Sequence, residues 1–305
     1  MKNTKIFLIA ALLGATLVAC QKEQDNKTPE EQPVLNKTVM LTVQASKSVD
    51  TKAMALSGNT LTAYWIDDEE VAVYVAGATE PQGILKASNI STSDGISTAT
   101  LSGAIEVTNL SEGSNNFTLL FPGRSDNKWT YEGQDGSEPD EDGSMASSFD
   151  YTMATLTATY NSAANTITPS GTASFTNQQS IFRFGFNMAM SSFTISSDQN
   201  QLIVSRAFNG SNWVSTPGSL VVTPGSTVAT TYFVSIRNEN TSVADRLYFS
   251  YIGTGNALYE GSQKIGVSYL GNEKFLGATI TMGQKTFAPS SDPEAPTISQ
   301  EVDVL

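Results

Sequence analysis

Histidine does not occur among the 305 residues, cysteine occurs once, and basic residues are scarce: Lys plus Arg is 17 against 30 for Asp plus Glu, a formal net charge of -13. Each shortage excludes something. Without histidine, the Ser-His-Asp and Cys-His routes of nucleophilic catalysis are gone. With a single cysteine, so is nearly every zinc site built on those two ligands. One thiol makes no disulfide within the chain, so stability has to come from packing. The shortage of Lys and Arg removes the basic footprint that nucleic acid requires, while an acidic surface suits solubility outside a cell. Carboxylate-only chemistry survives the cut, and two acidic clusters are its candidates: Asp67 to Glu70 and Glu138 to Asp142. Neither has the D-x-D-x-D-G order and downstream glutamate of a calcium loop, and nothing places two carboxylates across a cleft. Both clusters are therefore read as solvated loops, with no catalytic residue, no metal and no cofactor expected.

What is present begins with an address label. Lys2 and Lys5 precede an apolar run from Ile6 to Ala19, relieved only by Gly14 and Thr16, and the run closes on Leu17-Val18-Ala19-Cys20. A basic start, an apolar middle and a small-residue end make a secretory signal over residues 1–19, too short to span a bilayer as a mature helix. Cys20 falls where cleavage is expected. Residues 20–36 are polar, charged and proline-containing, a tether with an end-to-end distance on the order of 20–25 Å.

From Lys37 onward the hydrophobic period is two. Val39, Leu41, Val43 and Ala45 alternate with Met40, Thr42 and Gln44, which predicts a strand with one buried face. A polar stretch containing Lys47 and Lys52 follows, an exposed loop of the kind proteases prefer. Further strands are expected at 71–75, 84–87, 97–101 and 116–121, with turn residues between them. Residues 147–160 are ambiguous: 151–154 suit a short helix while Thr155 to Tyr160 alternates like a strand, and a brief helix or irregular segment is the expectation. Phe182, Phe184, Phe186 and Met188 give the strongest alternation, and at least six more short strands follow, an all-β pattern typical of sandwiches. A boundary near Ser170 divides the mature chain into domains 37–170 and 171–305.

The chain ends on Ala288 to Pro296, a run with three prolines, and then on 297–305, in which Ile298, Val302 and Val304 share one face of an extended segment. A terminal strand on a stiff spacer can reach beyond its own domain. Buried aromatics are the commoner case, and Trp65, beside Tyr64 at a strand start, reads as core; Trp129, next to Lys128 in a polar loop, is the best candidate for an exposed ring.

Taken together, the lipobox-like end at Cys20, the strand 39–45, the segment Tyr64-Trp65-Ile66-Asp67-Asp68-Glu69-Glu70-Val71-Ala72-Val73-Tyr74, the strand Ala99-Thr100-Leu101-Ser102-Gly103, the Leu120-Phe121-Pro122 turn and the run into Phe182-Phe184-Phe186 resemble the fimbrillins, lipoprotein-derived subunits of type V pili. That resemblance implies two transthyretin-like β-sandwich domains in tandem and no enzymatic activity. It implies lipid on Cys20, with display on the cell outer membrane. A maturation protease would cut after the first strand, with Lys47 or Lys52 as candidates since no arginine precedes Arg124, or else the subunit stays uncut as an anchor. Other fimbrial subunits would be the partners, joined by strand exchange in which Ile298, Val302 and Val304 replace Val39, Leu41 and Val43 of a neighbour. The competing expectation is a cell-surface glycan-binding lipoprotein using its tryptophans and tyrosines.

Overall fold

The computed structural model describes residues 37–47, 55–57, 60–62, 64–93, 96–139, 148–226, 228–239, 244–266, 275–285, 287–288 and 297–298. The chain is all-β: the described elements are strands, apart from one 3-10 turn at Thr254–Asn256.

The first half opens with β1 (Thr38–Lys47), followed by a small hairpin of β2 (Ala55–Ser57) and β3 (Thr60–Thr62). Next come β4 (Glu70–Val75), β5 (Gly83–Ser93), β6 (Ile96–Glu106), β7 (Gly113–Phe121), β8 (Lys128–Thr130), β9 (Thr152–Asn161), β10 (Thr166–Pro169) and β11 (Ala173–Asn177). Their main sheet runs β10-β9-β11-β1-β6-β5-β4-β7, and β7 pairs again with β9, so the sheet closes on itself. Closure gives most members a partner on each side, though β1 meets β11 over its last three residues only. Alternation fills the interior: Leu41, Val43, Val73, Leu85, Leu101, Leu119 and Phe175 are among the side chains that point inward and are buried.

In the second half, β12 (Ser180–Phe186), β13 (Phe193–Ser197), β14 (Ile203–Phe208), β15 (Trp213–Pro217), β16 (Leu220–Val222), β17 (Thr231–Ile236), β18 (Asp245–Ile252), β19 (Leu258–Ile265), β20 (Phe275–Ile280) and β21 (Gly283–Gln284) form three sheets. These are β17-β12-β20, β16-β13-β18-β19-β21, and β15-β14 with β8 of the first half at its edge. Finally β22 (Phe287–Ala288) pairs with β23 (Thr297–Ile298) in a ribbon apart from all of them. The core here is aromatic, with Phe184 and Phe186 edge-on to Phe249 at 4.9 and 5.5 Å between centroids. Burying each such ring stabilises by roughly 1.5–3 kcal/mol.

One strand belongs to both cores. Val71, Val73 and Val75 of β4 face the ring interior, while Ala72 and Tyr74 face the second core, joined there by Leu120 of β7. That explains why 71–75 is apolar at nearly every position rather than alternating.

Two expectations change. Residues 152–161 are a strand, because Thr152, Ala154, Leu156, Ala158 and Tyr160 alternate inward and pair along the whole of β7. The division near Ser170 falls too early for the ring, since β11 at 173–177 lies between β9 and β1. Conversely Trp129, Tyr131, Phe149 and Tyr151 pack in the second core although they precede that division.

Candidate functional site: the first strand and its buried lysine

β1 lies between two neighbours that hold it unequally. All ten residues pair antiparallel with β6, from Thr38 against Glu106 to Lys47 against Ser97. Parallel pairing with β11 covers three residues, Ala45 to Lys47 against Ala173 to Phe175. On that side the grip is concentrated at the strand's end, where Lys47 sits.

Lys47 is the surprise of the structure. Its side chain is fully buried. The ammonium lies 3.9 Å from the centroid of the Trp65 ring and 3.8 Å from that of Phe121, donates to Glu69 Oε2 at 3.2 Å and stands 4.0 Å from Asp150 Oδ2. The same Glu69 oxygen accepts from the Ile66 backbone N–H at 3.1 Å, which fixes its aim. Trp65 is held in turn, edge-on to Phe121 and Phe175 at 5.7 and 5.1 Å, with its backbone N–H donating to Ser97 Oγ. Burial pulls the Lys47 ammonium down to about 8, against the Glu69 charge and hydrogen bond, which raise it. Two carboxylates and two ring faces thus stabilise a cation that water cannot reach.

This corrects the reading of Lys47 as an exposed cleavage point. A side chain buried among Trp65, Phe121 and Glu69, at a position paired on both edges, cannot enter a protease pocket while β1 is in place. Lys52 lies outside the described residues, as do Cys20, Val302 and Val304. The signal for Lys47 was its parity: it continues the series 39, 41, 43, 45 on the buried face.

The other expected residues divide cleanly. Val39, Leu41 and Val43 are buried inside the ring. Ile298 pairs through its backbone with Phe287 in the terminal ribbon. Asp67, Asp68 and Glu70 are exposed as expected, but Glu69 between them turns inward to Lys47. Trp65 is core. Trp129 is not an exposed ring: it is 1 % accessible, stacked on Tyr151 at 4.9 Å and tilted against Trp213 at 4.3 Å, because β8 joins β14. Among the described residues no group of three acidic or thiol side chains is arranged to hold a metal ion.

No protein-family model and no curated protein matches the sequence. Among solved structures, the chain is similar to a fimbrial assembly protein from Parabacteroides distasonis, with 13% identity and a TM-score of 0.41 over 80% of this chain and 92% of that one. It is also similar to the tip fimbrial protein Mfa3 from Porphyromonas gingivalis, with 10% identity and a TM-score of 0.31 over 73% of this chain and 81% of that one. At these values the overlays carry no weight for function, which has to be argued from the strands themselves.

Proposed function

We propose that this chain is a structural subunit of a surface fimbrium, exported as a lipoprotein on Cys20, anchored in the outer membrane and assembled by strand exchange with other subunits, so that adhesion is a property of the fibre. The observation that carries the reading is the position of β1. It is the first strand after the signal and tether, and its inward residues Val39, Leu41, Val43 and Ala45 fill one continuous slot of a closed ring between β6 and β11. Taking that strand away leaves an apolar groove with hydrogen-bonding groups along the whole of β6 and, at one end, along β11, the kind of acceptor that an extended peptide completes.

The tail has the matching period. Ile298, Gln300, Val302 and Val304 fall two residues apart, as Val39, Leu41, Val43 and Ala45 do. Whichever way the tail runs, Gln300 meets the Leu41 or the Val43 position, both closed to water. A head-to-tail interface of this kind does not close and so propagates as a filament. The uncut form would serve as anchor or stalk base, with Cys20 holding it; several acyl chains at about 0.8 kcal/mol per buried methylene make that attachment durable.

Deleting residues 297–305 should abolish polymers recovered from the cell surface while leaving the monomer folded, judged by electron microscopy and a melting curve. Unchanged fibres from the deletion would refute the donor role. Gln300→Val should instead make the polymers more resistant to heat and detergent, since it replaces a buried amide by an apolar side chain. Cys20→Ser should release the protein from membranes, checked by mass spectrometry of the mature N-terminus.

A further inference from the structure

The sheet β17-β12-β20 has one face on the aromatic core and a second face that opens into a cleft of about 1000 Å³. Register fixes the floor of that cleft. Arg183 of β12 lies between Phe233 of β17 and Gly277 of β20, and the next row is Thr231, Gly185 and Thr279. Residues 135–138 form one wall and residues 224–226 another.

Two of the floor positions are glycines in strand interiors, where glycine weakens a strand. Neither is required by the fold. A Cβ on Gly277 would meet nothing within 4 Å, and one on Gly185 would touch only Ala278 O and Thr279 Oγ1 at 3.9 Å, ordinary contact. Neither residue has a positive φ. Two open glycine positions on adjacent strands, with no described neighbour pressing on either, are the mark of a surface that something else approaches closely.

We propose that this cleft is a binding site for a neutral oligosaccharide. The walls and floor offer donors and acceptors in close alternation: the Arg183 guanidinium, the carboxylates of Asp135 and Glu138, and hydroxyls including those of Ser226, Thr231 and Thr279. Dense mixed hydrogen bonding is what a ring of hydroxyls satisfies and an apolar ligand does not. The two carboxylates offset Arg183, which disfavours an anion. An extended peptide is recognised along a sheet edge, through its backbone, whereas the bare surface here is a sheet face. The two gaps at Gly185 and Gly277, set diagonally between Arg183 and Thr279, admit the edge of a sugar ring down to the backbone. The site is separate from β1 and does not depend on strand exchange.

The test uses the full mature chain on a printed array of neutral and sialylated oligosaccharides, with Gly185→Val and Gly277→Val beside it. Valine favours strands and its Cβ has room at both places, so both variants are expected to melt no lower than the parent. Saturable binding to neutral glycans, weakened on the order of tenfold or more by each valine and by Arg183→Gln, is the expected result. Three outcomes overturn the proposal: no glycan binds, binding survives both valines unchanged, or hits are confined to sialylated glycans and are competed by inorganic sulfate. Surface polymers should persist in Gly277→Val. Their loss would also overturn the proposal, since the occupant would then be a protein segment, and it would leave the β1 reading to be judged by the tail deletion alone.

Discussion

Gly210→Ala is expected to destabilise the protein by about 3–5 kcal/mol, the range of the most damaging single substitutions. Gly210 has φ +85°, a conformation that costs an L-residue roughly 1–2 kcal/mol. A Cβ built there would also overlap the carbonyl of Ala78, in the turn that follows β4, so strain and collision add. No side-chain rotation relieves a collision between Cβ and backbone. The contact has a role: beside it the Asn127 side-chain amide donates to Thr79 O at 3.1 Å and Phe208 O at 2.7 Å, joining the end of β14 to the ring. The variant should melt several degrees lower and expose this joint to limited proteolysis. A melting temperature within a degree of the parent would mean the turn moves freely and the joint is not rigid.

Lys47→Met should leave the protein at least as stable as the parent at pH 7, with a gain of up to about 3 kcal/mol, because a folded value of about 8 against the ordinary 10.5 means that burying the ammonium costs more than Glu69 returns. Glu69 keeps partial access to water and so tolerates the loss of its partner. Glu69→Gln should lower stability in the parent and much less in the Lys47→Met background, so the double-mutant cycle reads the coupling directly. Equal effects that simply add would sink the idea of a coupled buried pair.

The same lysine sets a pH dependence with a definite sign. Its folded value of about 8 lies below the ordinary 10.5, so between those values the unfolded chain binds more protons than the native one. Stability therefore rises with pH across that window, by up to about 3 kcal/mol from this group. Buried tyrosines act in the opposite direction: burial raises Tyr74 to about 12 and raises Tyr151 as well, so their contribution falls once pH exceeds about 10. Denaturation midpoints between pH 8 and 10 should climb in the parent relative to Lys47→Met. Parallel curves would show that Lys47 is not the titrating group.

Period and punctuation carried most of the all-β architecture, because alternation reports directly which side of a strand is dry. β1, β7 and β12 were legible for that reason. The reading failed where a residue type argued against its own position. Lys47 was assigned to a loop because lysine is rarely buried, although its parity continued the apolar series. Trp129 was judged by the polar residues around it, and only the long-range pairing of β8 with β14 shows why it is covered. β9 was obscured by small residues, whose inward role depends on β7 some forty positions earlier. The cleft was beyond sequence reading altogether, since Gly185 and Gly277 reach one sheet face, two positions apart, only through the parallel β12–β20 register.

The shared wall at β4 bears on how this chain would carry load. Tension entering at β1 passes through β6 and β5 to a strand whose opposite sides are clamped by separate hydrophobic interiors. Pulling one compartment open strips the lining from the other, so a single molecule stretched between its ends should give way in one rupture event rather than two.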